Sequence, residues 1–404
     1  MLTVDLEQLG LDQGGHLLLK RALRQAGPGN PVTVRGTAAE LAVHLRAWCR
    51  SQGVAFSAPG GEGGGGTAPA AGVISQERPA GARWRGAERA GVSDPASAEG
   101  IAEHPPAHWG LAARGALVEA GAPEYAFALD RKDTVWADEA VRLYRQAVAA
   151  QWNPETEIPW HAEFALPDEV EDAVVQVMTY LIENETAALI VPARFLGQVH
   201  PHFREVMQLL AIQTADEARH IEVFTRRATL KRRQLGLSTA GGQASLKTLL
   251  DEPDFAVAGF LLSVLGEGSF LNLLGFLDDH APDPVTRRVA HLAAQDEARH
   301  VAFGMAHLGR HLEHEPGLRP RLAAAVERRH DALRHTAGLN EEVFDALVLL
   351  AAGGWTPAEI RSGHEAVLKL EADMAAGRSR RLRTLGFTPQ QAESLSALHT
   401  RNFM

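Results

Sequence analysis

The pentapeptide Asp-Glu-Ala-Arg-His occurs twice in this chain, at residues 216–220 and 296–300, and each copy lies inside a long stretch of helical hydrophobic period. Within each copy Glu and His stand three apart, Glu217 with His220 and Glu297 with His300. On an α-helix that spacing sends both side chains out of one face, so each helix offers a carboxylate and an imidazole to the same side of a cation. A lone Glu-x-x-His is most often a solvated surface pair. Two copies, each with a further carboxylate one helix upstream, point to a metal site instead.

The upstream carboxylates sit among apolar residues. Met178, Leu181, Glu185, Ala188 and Leu189 form one helical stripe that places Glu185 32 residues before Glu217. Val264, Glu267, Phe270 and Leu271 form another, with Glu267 30 residues before Glu297. Glu183 is the alternative to Glu185, but it lies off the stripe. One Glu from each of two helices plus Glu-x-x-His from each of two others is the ligand set of a four-helix bundle that holds two iron or manganese ions. Zinc would favour fewer and softer ligands. Burying four carboxylates together is tenable only with cations between them. Asp216 and Asp296 are the expected acceptors for the imidazole N–H groups that the metal leaves free. Arg219 and Arg299 either neutralise those aspartates or are ordinary surface charges. Gly266 and Gly268 flank Glu267, where they give room for carboxylate movement or substrate, or else allow close helix packing. Phe224, Phe270, Leu271 and Phe303 are candidate pocket walls, each with plain core as the simpler reading.

Helix punctuation supports four long helices. Asp168 with Glu171 reads as a capping box opening a helix to about residue 196, with a kink at Pro192. Further helices are expected over residues 203–233, 255–279 and 284–313, the last opened by Asp283 and Pro284. Thr356, Pro357 and Glu359 open a later helix in the same way. Residues 1–57 differ in character: strands at 3–6, 31–34 and 54–56 alternate with helices at 14–26 and 38–52, a small α/β unit. Residues 58–122 begin with a Gly/Ala/Pro-rich run at 58–72 and read as linker and irregular chain before a helical domain over 123–404. The expected fold class is therefore mainly α: a four-helix bundle with extra C-terminal helices and a small N-terminal α/β domain.

Composition excludes several roles. With 45% hydrophobic and 22% charged residues over 404 positions, the chain is not disordered overall. A net charge of −10 argues against a surface built for nucleic acid or an anionic membrane. Cys49 is the only cysteine, so no intrachain disulfide and no zinc-thiolate cluster can form. The start carries acids rather than a charged and apolar leader, and the most apolar stretch, residues 255–277, is interrupted by Glu267 and by Gly and Ser residues. A soluble, cytoplasmic protein is the expectation.

The doubled motif resembles the ferritin-like di-iron carboxylate superfamily, and its Asp-Glu-x-Arg-His form resembles the oxygenase and ribonucleotide-reductase-like branch. The resemblance covers about residues 125–313 and includes RLYRQAVAAQWNPETEIPW at 142–160, similar to the lead-in segment of such oxygenases. It implies metal ligands at Glu185, Glu217, His220, Glu267, Glu297 and His300. It also implies two iron ions or a manganese and iron pair, O2 as co-substrate, a small organic substrate, and an external electron donor such as a reductase or ferredoxin. Four residues after the first ligand histidine, where reductase subunits hold a radical tyrosine, this chain has Phe224. The amino-terminal unit resembles sulfur-carrier proteins of the TusA type, through LEQLGLDQGGHLLLKRAL at 6–23 and AWCRSQGVAF at 47–56. Their Cys-Pro-x-Pro would fall on Gln13, Gly14, Gly15 and His16, so the thiol needed for persulfide transfer is missing. Such a unit is expected to serve docking or dimerisation. The leading functional expectation is an O2-dependent oxygenase or oxidase working as a homodimer. The alternatives are a ferritin-like protein that oxidises, stores or senses iron, and a structural bundle whose amino-terminal domain carries the function.

Overall fold

Short apolar runs separated by glycine turns build the amino-terminal part of the computed structural model, which describes residues 2–59, 69–76, 86–94, 100–334 and 341–398. The chain forms two units, Met1–Arg89 with Leu117–Ala122, and Ala90–Ala116 with Pro123–Met404. In the first unit the order is β1 (Leu2–Asp5), α1 (Gly15–Ala26), β2 (Val32–Arg35), α2 (Leu41–Gln52), β3 (Ala55–Ser57) and β4 (Ala70–Ser75). The sheet runs β1-β2-β4-β3, with β1 and β2 parallel and β4 antiparallel to both its neighbours. Leu19 and Leu23 of α1 and Leu41, Leu45 and Cys49 of α2 cover Val32, Val34 and Ile74 of the sheet. A two-stranded ribbon, β5 (Glu88–Arg89) with β6 (Leu117–Val118), follows.

Strand β4 corrects the expectation that the folded unit stops at residue 57. It lies between β2 and β3, so the sheet is not continuous without it. Its Ala-Ala-Gly opening looks like linker by composition, yet a Cβ at Gly72 would collide with the Phe56 ring, so the missing side chain is what lets the strands close. Of the Gly-rich run itself, residues 60–68 lie outside the described residues. Cys49 is 1% exposed, and burial pushes its thiol up to about 11, so it packs as a small hydrophobe.

The second unit contains α3 (Lys132–Val135), α4 (Ala140–Ala149), α5 (Pro154–Glu157), α6 (Asp168–Leu196), α7 (Arg204–Ala228), α8 (Ala240–Leu250) and α9 (Phe255–Gly259). A π-helical segment, Phe260–Glu267, joins α9 to α10 (Gly268–His280). Then come α11 (Pro284–His314), α12 (Leu318–Leu333), α13 (Glu341–Ala352), α14 (Pro357–Thr384) and α15 (Pro389–Leu398). Helix α6 pairs with α7, α10 with α11, and α7 meets α11 across the centre, which is the expected four-helix bundle. The C-terminal helices form an outer layer in which α13 lies on α6 and α14 on α10. By length and hydropathy, Asp168–Leu196 and Phe255–His280 could each cross a membrane, the second despite its glycines and Glu267. Their most apolar windows are 67% and 83% buried against other parts of the protein.

The caps of α11 and α14 follow the sequence, whereas α7 ends at Ala228 rather than near the expected residue 233 and the start of α6 differs. Asp283 accepts from the N–H groups of Val285 and Thr286, and Thr356 with Glu359 closes a capping box. Pro192 is accommodated inside α6. The expected box at Asp168 and Glu171 does not form: Pro167 is the cap residue, and Glu171 is buried in an ion pair with Arg227. Arg227 of α7 donates to Glu171 of α6 at 2.7 and 3.0 Å and to Asp283, the cap of α11, at 2.8 Å, with Thr286 Oγ1 at 2.8 Å. One guanidinium thus ties three bundle helices. Residues 100–116, expected to be linker, dock on α7 through Arg114, which is 3% exposed and forms a two-armed pair with Glu205.

Arg227→Ala would leave Glu171 and Asp283 buried without a cation. The expected loss is about 3–5 kcal/mol of stability, read as a lower denaturant midpoint.

Candidate metal centre

The apolar stripe of α7 runs Val206, Leu209, Leu210, Gln213, Glu217, His220 and Phe224, all buried, so burying the stripe carries the Glu-His pair into the bundle interior. Helix α11 does the same with Val289, Ala293, Glu297 and His300. Helix α6 contributes Glu185, which is 2% exposed, while Glu183 is only half-buried and outside the cluster. Glu267 is the last residue of the π-helical segment.

All six residues meet. Glu185, Glu217, His220 and Glu297 form one four-residue group, and Glu217, Glu267, Glu297 and His300 form a second, each with ligand atoms within 4.8 Å of one another. Glu217 and Glu297 belong to both. Their oxygens reach both imidazoles: His220 Nδ1 lies 3.3 Å from Glu217 and 3.3 Å from Glu297, and His300 Nδ1 lies 3.0 and 3.4 Å from the same two residues. The geometry therefore makes Glu217 and Glu297 bridging candidates, with Glu185 and His220 at one end and Glu267 and His300 at the other.

The residues fit a pair of cations on a direct test. Eight buried side-chain atoms in the six residues have no hydrogen-bond partner: Glu185 Oε1, both oxygens of Glu217 and of Glu297, Glu267 Oε2, and Nδ1 of each histidine. Orphaned polar atoms at this density are costly in a folded core unless something binds them. Burial, followed by repulsion from Glu217 and Glu297, holds the Glu185 carboxyl well above its usual range; burial and Glu297 do the same to Glu267. Burial alone would push the histidines down. Surrounding carboxylates overcome it, Glu185 and Asp296 at His220 and Glu217 and Glu297 at His300, and both imidazoles sit well above the ordinary value.

The aspartates of the two motifs work crosswise. His220 Nε2 faces Asp296 at 3.1 Å, and His300 Nε2 faces Asp216 at 3.3 Å, so each motif orients the histidine of the other. Arg219 donates to Asp216 at 2.6 Å and to Asp296 at 2.8 Å, and Arg299 also pairs with Asp296. Against the cost of burial, His300 lowers the Asp216 carboxyl, and His220 and Arg219 lower that of Asp296. Both arginines are thus tied to the centre.

Two polar partners were not singled out by spacing. Gln151 Nε2 donates to Asp216 at 2.8 Å, and Trp152 Nε1 donates to Asp296 at 2.8 Å, with the indole stacked on His220 and under the Arg219 guanidinium. The signal available was their place in the 142–160 lead-in segment. A third, Gln213, donates to Glu267 Oε1 at 3.1 Å. Of the aromatic candidates, Phe224 has its ring 6.2 Å from His220. Phe303 stacks on His307, Phe270 is buried in the core, and Leu271 is only partly buried. A Cβ at Gly268 would collide with the Arg381 guanidinium from α14, so that glycine serves close packing.

No family model matches the chain, and no curated protein matches it. Among solved structures it is similar to an R2-like ligand-binding oxidase from Sulfolobus acidocaldarius, at 16% identity and a TM-score of 0.42 over 63% of this chain and 93% of that one. It is also similar to a Synechococcus protein with aldehyde deformylating oxidase activity, at 17% identity and a TM-score of 0.42 over 57% of this chain and 96% of that one.

Two outcomes are expected. Wild type should bind about two transition-metal ions per chain. Glu217→Ala or Glu297→Ala should abolish binding of both, whereas Glu185→Ala or Glu267→Ala should leave about one, as measured by elemental analysis. Metal affinity should also rise with pH across neutrality. Glu185 and Glu267 hold their protons unusually high, and a cation must displace those protons, so acid favours the metal-free form. Metal titrations with proton-release calorimetry measure this directly.

Proposed function

We propose that the chain is a non-haem di-iron oxygenase or oxidase that uses O2 to oxidise a small organic substrate by hydroxylation, N-oxygenation or desaturation. The observation that carries this reading is the buried set of eight unpartnered ligand atoms on Glu185, Glu217, His220, Glu267, Glu297 and His300. A bound iron pair would supply the redox chemistry with O2, and a manganese and iron pair would suit the same donors.

The chain's own residues do the rest. Asp216 and Asp296 face Nε2 of His300 and His220 and would accept its N–H, so that a cation displacing the Nδ1 proton would find each Nδ1 lone pair facing the cluster. Arg219 and Arg299 keep those aspartates ionised. Phe224, fully buried against His220, excludes water on that side and offers no phenol to the site. Trp152 is half-buried, and its indole N–H reaches His220 through Asp296, a hydrogen-bonded line suited to electron entry from a reductase or ferredoxin. The reading includes a cytoplasmic homodimer in which the amino-terminal unit serves docking or dimerisation.

The test is anaerobic reduction of the iron-loaded protein followed by O2 exposure. Stoichiometric O2 uptake that accelerates with one candidate organic substrate supports an oxygenase or oxidase. Accumulation of many iron atoms per chain as mineral, or a large hollow assembly by scattering, supports iron storage instead. Trp152→Phe should retain its metal yet be reduced more slowly by an external donor, measured by stopped-flow under anaerobic conditions.

A further inference from the structure

Two arginines of α14 reach the carbonyl groups of the π-helical segment Phe260–Glu267 from the C-terminal layer. Arg381 Nε donates to the Val264 carbonyl at 2.6 Å. Its guanidinium lies against Gly268, where a Cβ would overlap Cζ, Nε and Nη2, and that Nη2 is buried without a partner. Arg378, 2% exposed, acts on the next residue of the segment: its Nη1 donates to Ser269 Oγ at 3.1 Å, and that hydroxyl donates to the Leu265 carbonyl at 2.8 Å. Two successive carbonyls just ahead of Glu267 thus accept side-chain hydrogen bonds, both of which lead back to α14.

The arrangement is costly. Among the described residues no carboxylate pairs with Arg381, and burial pushes its guanidinium down to about 10, with Arg378 and Arg380 adding to the effect. A methionine of similar length would fill the space beside Gly268 without burying a charge. What the arginine adds is its donor, aimed at a carbonyl three residues before Glu267. The segment needs such a hold. π-Helix is rare and mostly confined to single turns inside α-helices, and its i→i+5 step turns each later side chain about the axis relative to a continuous α-helix. Eight residues of it end on Glu267, so the form of the segment decides where that carboxylate points. Glu185, on the unbroken helix α6, has no such dependence.

We propose that Arg381, supported by Arg378 through Ser269, is a positioning residue for the metal centre: it holds residues 260–267 in their π-helical form and so places Glu267 for the cation at the Glu267 and His300 end. The proposal rests on the reading of the cluster as a site for two cations. Its reach is short and one-sided. The guanidinium grips the chain three residues before Glu267, at Val264, and one residue after it, at Gly268, and makes no contact with the Glu185 and His220 end.

The experiment is calorimetric titration of the full chain with cobalt(II), which reads the two binding events, together with hydrogen exchange of residues 260–267 in the metal-free protein. The event that belongs to the Glu267 end is the one that Glu267→Ala removes. Arg381→Met should weaken that event roughly 10–100-fold, leave the other unchanged and speed exchange of the segment. Ser269→Ala, which breaks the link from Arg378 to Leu265, should move both readouts the same way by a smaller factor. Leu382→Ala, a change at a fully buried position on the same helix, controls for general loss of stability: it should lower the denaturant midpoint without separating the two ions. If Arg381→Met weakens both ions alike or neither, or leaves exchange of the segment unchanged, the proposal is overturned. Absence of paired cobalt binding in wild type overturns the two-cation reading itself, and the exchange comparison then still decides whether Arg381 holds the segment.

Discussion

Four carboxylates and two imidazoles buried together in the bundle interior are the constraint on which the bundle depends. Any one of these groups could be buried by protonation or by a local hydrogen bond. Six together cannot be satisfied that way, and eight of their atoms find no partner among the protein's own groups. It invests instead in holding the groups where cations would satisfy them. Asp216, Asp296, Arg219, Arg299, Gln151 and Trp152 make a continuous polar shell on the α7 and α11 side, and Arg227 anchors the same helices further along with a second buried ionic hub. Both networks cross between helices. The bundle is therefore registered by its charges as well as by its apolar stripes, and crosswise pairing of Asp and His makes each motif depend on the other.

Much of this was legible because helical period and ligand spacing are the same kind of signal. Glu217 and His220 are three apart because they must share a face, and the stripe that buries the face is visible in the sequence around them. The same holds for Glu185, which the structure places in the cluster while Glu183, two residues earlier and off the stripe, lies outside it. Helix caps at Asp283 and Thr356 were equally local. What could not be read was non-local. Glu171 has the right spacing for a capping box, but a long-range pair with Arg227 outcompetes a surface cap. Strand β4 has linker composition, and only its neighbours, Phe56 above all, explain why glycine belongs there. Residues 100–116 lack any period, and they are held by Arg114 and its partners together with Ile101, which is buried in the core. Crossing of the aspartates depends on interhelical geometry that no spacing encodes.

The two halves match in sequence but not in backbone. Glu185 stands on an unbroken α-helix, whereas Glu267 ends eight residues of π-helix, a conformation that long segments seldom adopt and that tends to occur at functional sites. The irregular helix is held from outside. Arg381 takes the Val264 carbonyl, the Arg381 guanidinium fills the space left by Gly268, and on the opposite side Gly304 of α11 admits the Ser263 side chain, which any Cβ there would displace. The C-terminal layer is thus part of the apparatus that sets one ligand's position, well removed from the motif that announces the site.

That asymmetry bears on which half of the centre can change during a reaction. Glu185 is constrained by a regular α-helix, so moving its backbone would mean moving the helix. Glu267 is attached to a segment of looser hydrogen bonding, with one oxygen tethered by the Gln213 side chain and the other free. Shifting Glu267 requires only a side-chain rotation and adjustment around a backbone already away from its ideal geometry. Carboxylate movement that opens a coordination position is therefore less costly at the Glu267 and His300 end. Any molecule approaching the cluster would meet its adaptable carboxylate there, while the Glu185 and His220 end, braced by Phe224 and Trp152, keeps the geometry fixed.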